Sequence, residues 1–145
     1  MKRLLKNQKG ITILSLMIVL VVMAILAAIA VKNVDTGIDI KNYNKMCADI
    51  ELLSNKIQSY YREHNSIPIT GSSISDVSSQ IDYQGTDRDN SVYYLIDLGS
   101  LYNVTLNYGG GNLSNKDVYI INEQSHEIYY LKGVKLENQI YHRKK

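Results

Sequence analysis

A single cysteine, Cys47, in a chain of 145 residues excludes an intramolecular disulfide, and no Cys/His cluster has the spacing of a structural zinc site. The length suits one small domain with an appendage rather than two globular domains. The formal charge of +2 is local: Lys2, Arg3, Lys6 and Lys9 all precede Gly10, and the remainder carries 12 Lys and Arg against 14 Asp and Glu, a balance that argues against a nucleic-acid partner.

Residues 1–10 form a basic leader, and residues 11–31 carry no charge. Twenty-one uncharged residues make a helix of about 31 Å, enough to cross the hydrocarbon core of a bilayer. The short basic flank stays cytoplasmic by the positive-inside rule, which puts everything after Lys32 outside. Three readings of this segment compete. One is a secretory signal cut after Ala30 in Ala28-Ile29-Ala30, although the apolar core of such signals usually runs to about 7–15 residues. The second is an uncut anchor carrying a single-pass extracytoplasmic binding domain that does not polymerise. The third is a signal cut ahead of the apolar run.

The residues favour the third. Lys9-Gly10-Ile11-Thr12-Ile13-Leu14, continued by Leu16-Met17-Ile18-Val19 and closed by Leu26-Ala27-Ala28-Ile29-Ala30, resembles the N-terminus of type IV prepilins and pseudopilins. The likeness covers about the first 32 residues. It implies that a prepilin peptidase cuts between Gly10 and Ile11 and that Ile11 is then N-methylated. Glycine suits that cut because it lets the peptidase approach the backbone closely. It also implies partners: other pilin or pseudopilin subunits, an assembly-platform membrane protein and the membrane itself. The cytoplasmic membrane would hold the subunit by a single pass, with the C-terminus outside, until it joins a surface filament.

Three positions depart from that family's pattern. Ser15 stands where the family usually has Glu, Ala24 where a helix glycine is common, and Lys32 where a proline is common. The last two exchanges remove helix-weakening residues, and Lys32 can snorkel to the outer headgroups. In the family the Glu pairs with the N-terminal amine of a neighbouring subunit, and a carboxylate in an apolar segment needs such a partner. Ser15 cannot make that pair; its hydroxyl can bond a backbone carbonyl one turn earlier. A subunit that recruits the next Glu but offers none suits the tip of a filament. A drifted position in a low-abundance minor subunit accounts for Ser15 equally well.

Beyond Lys32 the helix is expected to continue to His64, short of the only proline, Pro68, with Gly37 as a soft spot. Tyr43, Met46, Cys47, Ile50, Leu53, Ile57, Tyr60 and Tyr61 recur at steps of three and four, one apolar face of an amphipathic helix. Lys41, Lys45, Asp49, Lys56 and Arg62 are assigned to the opposite side. Cys47 falls on the stripe and reads as a core cysteine.

The remainder reads as an extracytoplasmic head, residues 65–145, after a transmembrane helix, 11–31, and its amphipathic extension, 32–64. Residues 70–73 and 85–91 read as loops, and residues 76–81 as a short helix. Asp87, Asp89 and Ser91 alternate faintly as calcium ligands do, without the Gly and distal Glu of an EF-hand loop. Strands are expected at 92–96, 104–108, 118–121, 128–131 and 139–142, with a hairpin turn across residues 122–126. The fold class is α+β: a long N-terminal helix packed on a small antiparallel sheet of three or four strands.

No phosphate loop, nucleophile elbow, H-E-x-x-H or C-x-x-C pattern occurs, so no catalytic residue, metal ligand or cofactor is assigned. His64, His126 and His142 fall at element ends or turns. Of the tyrosine pairs Tyr60-Tyr61, Tyr93-Tyr94 and Tyr129-Tyr130, the two in predicted strands each read as one core and one surface residue, because neighbours in a strand face opposite sides. The tail His142-Arg143-Lys144-Lys145 reads as a solvated end. The whole describes a structural minor pilin or pseudopilin, not an enzyme.

Overall fold

A computed structural model describes residues 2–74, 77, 81 and 92–145, with side chains for residues 13–31, 34–74, 77, 81 and 92–145. The chain divides into two compact units, Met1–Ile38 and Asp39–Lys145. One helix, α1 (Lys2–His64), contributes to both. It continues helical through residues 33–37 and ends four residues before Pro68, which leaves Ile67, the residue that proline disfavours in a helix, outside it.

In the second unit the stripe read from the sequence is the buried face of α1. Met46, Ile50, Leu53 and Ile57 are at most 8% exposed, with Tyr43 and Tyr60 packed at either end. They meet a four-stranded antiparallel sheet of order β1-β2-β3-β4: β1 (Ile69–Ile74), β2 (Tyr93–Ile96), β3 (Tyr119–Asn122) and β4 (Ile128–Tyr130). A separate hairpin, β5 (Val134–Leu136) with β6 (Gln139–Tyr141), follows. It hooks onto β4 at one residue: the Tyr130 amide donates to the His142 carbonyl at 2.7 Å, and His142 Nδ1 lies 3.0 Å from the Tyr130 carbonyl.

Alternation sorts the strands between two cores. Ile96, Tyr119, Ile121, Ile128 and Tyr130 face α1, while Tyr93, Ile120 and Tyr129 face the other way with Val77, Ile81, Val118 and Leu131. The sheet is therefore covered on both faces. Tyr129 and Tyr130 do point to opposite sides, but both are buried, not one core and one surface as expected. Tyr93 is buried and Tyr94 partly so.

Two expectations about elements are corrected. Residues 70–73 are not a loop but part of the exposed edge strand β1, where Gly71 takes φ +77° and the register slips between Thr70 and Ile74, a bulge that interrupts the edge. Residues 104–108 alternate but form no strand; the reason lies in Asp49, described below. The strands at 92–96, 118–121, 128–131 and 139–142 appear within a residue or two of their predicted ends. The Asn122 side chain shapes the β3–β4 turn by accepting from the Gln124 and Ser125 amides at 2.8 and 2.9 Å. The expected helix at 76–81 falls mostly outside the described residues, of which only Val77 and Ile81 are present. Asp87, Asp89 and Ser91 lie outside them entirely.

Candidate functional site

The N-terminal unit is a single run of helix, and from Ile13 to Val31 every residue but Ser15 is apolar. Gly10 and Ile11 sit within α1, and Ser15 follows Ile11 by four residues, about one helical turn. Ser15 is exposed. Around it the large apolar residues from Ile13 to Val31 are 46–62% exposed on every side of the helix. A helix apolar all round is stable only when lipid or other helices cover it. This one contains a stretch long and apolar enough to cross a membrane. Ser15 is the sole hydroxyl between Ile13 and Val31, in a segment where each uncovered polar group is costly.

In the head, the polar chemistry gathers on two carboxylates and a stack of tyrosines. Asp49 was assigned to the solvent side of α1; it is instead 2% exposed. It lies three residues after Met46 and four before Leu53, which places it on the edge of the buried stripe. Its carboxylate accepts from the Asn107 amide at 3.0 Å, Asn107 Nδ2 at 2.8 Å, the Tyr108 amide at 3.0 Å and the Tyr119 hydroxyl at 2.9 Å. Among the described residues no cation pairs with it. These bonds draw the end of the 104–108 segment out of any ladder: the Asn107 and Tyr108 amides are turned onto a side chain of the helix.

Asp117 repeats the pattern nearer the surface. It accepts from the Tyr130 hydroxyl at 2.7 Å and the Gly109 amide at 2.9 Å. The Tyr130 bond first, then the Gly109 bond, hold its carboxyl below the usual range. Tyr108 and Tyr119 both lie against Tyr130, with ring centroids 5.3 and 5.1 Å away. Burial, then the bond to Asp49, push the Tyr119 hydroxyl far above its ordinary value. Burial, then the bond to Asp117, do the same at Tyr130. Gly109 takes φ +84°, and a side chain there would meet the Tyr119 ring at 2.6 Å. The arrangement holds a backbone segment to the helix. It presents no nucleophile beside a base, and among the described residues no group of three or more His, Cys, Asp or Glu could hold a metal.

The histidines fall where the sequence put them. His64 Nδ1 faces the Tyr60 carbonyl at 3.1 Å, His126 tilts on Tyr61 in the β3–β4 turn, and His142 clamps the C-terminal hairpin. Cys47 is a free, half-buried thiol. The tail is less free than expected: Lys144 Nζ lies 2.9 Å from Glu51, and the Lys145 amide donates to the Tyr43 hydroxyl at 3.0 Å.

With this geometry in hand, the comparisons bear on the N-terminal unit alone. Residues 5–31 match the family model described as the prokaryotic N-terminal methylation motif. The match runs from the basic leader to the end of the apolar helix and supports a type IV pilin-like precursor with a membrane-anchoring helix. No curated protein and no solved structure matches the chain.

Proposed function

We propose that the chain is the precursor of a minor type IV pilin or pseudopilin, a structural subunit of a surface pilus, secretion pseudopilus or DNA-uptake filament. One observation carries the reading: the methylation motif covers the same helix whose apolar surface is exposed on all sides. In this reading prepilin peptidase removes residues 1–10, leaving Ile11 as the N-terminus, which is then methylated. The uncharged helix holds the subunit in the cytoplasmic membrane with the head outside. The assembly platform then moves it into a filament core, where neighbouring subunit helices replace lipid around residues 11–31.

In the same reading, Ser15 supports a place at the end of that filament. A helix offering no carboxylate in its second turn has nothing to neutralise the amine of a subunit above it. Its own Ile11 amine still attracts the carboxylate of a subunit below. Both facts suit the first subunit, at the tip.

Mass spectrometry of the mature protein tests the reading. Expected is an N-terminal peptide beginning at N-methylated Ile11. A mature chain beginning at Met1 would instead mean a permanent anchor with a non-polymerising head, and one beginning at Val31 a secreted head; either result overturns the pilin reading.

A further inference from the structure

The end of α1 and the segment from the 3-10 turn Leu98–Ser100 to Tyr102 enclose a cleft of about 410 Å³ on the head, inside the range of about 300–1,000 Å³ usual for small-ligand sites. Its apolar surface comes from Leu101, which is buried, and from Tyr60, whose ring stacks on His64 at 4.1 Å and 17°. Tyr102, which also lines the cleft, is 88% exposed. So large an exposed aromatic ring beside a formed cleft is a natural anchor for something that binds there.

The polar lining is biased toward acceptors. The Ser59 hydroxyl donates to the Asn55 carbonyl at 3.2 Å, and the Ser100 hydroxyl donates to Asp97 Oδ2 at 2.6 Å. Each serine has therefore spent its only proton and offers lone pairs. His64 Nδ1 sits 3.1 Å from the Tyr60 carbonyl; a carbonyl only accepts, so Nδ1 carries a proton, and in the neutral ring Nε2 is the acceptor. Glu63 adds a carboxylate and Lys56 an ammonium. Among the described residues neither is in an ion pair, and together they leave the cleft without net charge.

A ligand that fits must bring several hydrogen-bond donors, carry no net charge and have an apolar face to lay on a tyrosine. A phosphate or carboxylate brings acceptors to an acceptor wall. A polyamine brings donors but meets Lys56. A sugar ring brings hydroxyls that donate and a C–H face that stacks. We propose that this cleft binds a neutral glycan unit, one or two hexose rings, with Tyr102 as the stacking platform and Ser59, Ser100 and Glu63 accepting from its hydroxyls. The site lies wholly within the unit Asp39–Lys145 and does not depend on the filament reading.

The test uses the full chain in zwitterionic, sugar-free detergent micelles. Glucose, galactose, N-acetylglucosamine and lactose are titrated in turn and binding is followed by NMR chemical shifts. At least one should bind saturably with a dissociation constant of about 1 mM or tighter. Tyr102→Ala, which removes an exposed ring and leaves the circular dichroism unchanged, should weaken that binding about tenfold, and Glu63→Gln should weaken it severalfold. Absence of saturable binding by all four sugars overturns the proposal, as does binding that Tyr102→Ala leaves intact. Sedimentation showing that Tyr102 drives self-association without sugar also overturns it, since the cleft would then hold a second copy of the chain.

Discussion

The Tyr119 hydroxyl on β3 donates to the Asp49 carboxylate on α1 at 2.9 Å, joining sheet to helix across 70 positions of sequence. Asp49 also takes both amides of Asn107 and Tyr108 and the Asn107 side chain. Losing the carboxylate strips a buried partner from Tyr119 and part-buried ones from Asn107 and Tyr108 at once, and a buried donor left unmet costs about 1–3 kcal/mol. Asp49→Ala should therefore destabilise the head by about 3 kcal/mol or more. Tyr119→Phe removes one donor and leaves the carboxylate the rest, so it should cost about 1 kcal/mol. Urea unfolding in micelles, followed by near-ultraviolet dichroism of the tyrosines, gives both values. If Asp49→Ala is no worse than Tyr119→Phe, the carboxylate does not hold the Asn107–Tyr108 segment.

The same cluster sets an alkaline limit. Tyr119 and Tyr130 have their ionisation pushed up, first by burial and then by neighbouring carboxylates. The unfolded chain loses those protons near the ordinary tyrosine value of about 10 while the folded head keeps them. Above that pH the unfolded state binds fewer protons, so stability falls as pH rises. It is fully present below about pH 10 and lost from there toward the folded values. Tyr119 and Tyr130 should resist titration until the head unfolds. Tyrosinate absorbance and dichroism recorded on one pH series check this: in the variant Tyr119→Phe the step that coincides with unfolding should shrink. A smooth titration of all tyrosines in a still-folded head would contradict it.

Gly109 is the tightest point of the arrangement. Its φ of +84° disfavours any side chain, and a Cβ would press on the Tyr119 ring at 2.6 Å. Its amide also serves Asp117. Gly109→Ala should cost about 2 kcal/mol or more by strain and by displacement of the ring. At Gly110, where a Cβ meets nothing within 4 Å, the same change should be close to neutral. Comparing the thermal midpoints of the two variants isolates the effect. Equal midpoints would mean the ring moves aside freely.

What the residues disclosed in advance follows the strength of their periodicity. The stripe from Tyr43 to Tyr60 and the apolar run to Val31 repeat over many turns, and both were legible. The strands at β2, β3 and β4 are short but dense in Ile and Tyr, and they too were legible. Asp49 was misplaced because a charged residue reads as solvent-facing; only its spacing of three and four from Met46 and Leu53 hinted otherwise. Residues 104–108 carry the right alternation for a strand, yet a side chain 58 positions upstream of Asn107 takes the Asn107 and Tyr108 amides, and local pattern holds no record of so distant a partner. Edge strand β1 was missed for the opposite reason. Thr70-Gly71-Ser72-Ser73 has loop composition, and pairing with β2, not burial, makes it a strand. The acceptor-lined cleft was equally hidden, since it depends on where the serine and histidine protons are already committed.

Processing is open to a single substitution. If the peptidase needs close backbone approach at residue 10, Gly10→Val should leave the leader attached. The protein then stays in the membrane, heavier by residues 1–10, with Ile11 unmethylated. Mass spectrometry of membranes from cells carrying each form reads the result directly. Cleavage of the valine form at the wild-type level would mean that Gly10 merely separates leader from helix.

If Ser15 sets the position of the subunit in a filament, one substitution separates that role from drift. Ser15→Glu places a carboxylate in the second turn of the mature helix, facing lipid or neighbouring helices where an unpaired charge costs about 2.5–3.5 kcal/mol. That cost favours docking wherever a subunit amine can neutralise it. The head lies in the other compact unit, Asp39–Lys145, and should fold as before. A subunit confined to the tip should then appear along the shaft, and filament number should fall as starting points become scarcer. Immunogold labelling of the head, with filaments counted per cell, measures both. If label position and filament number match the wild type, residue 15 does not set where this subunit sits.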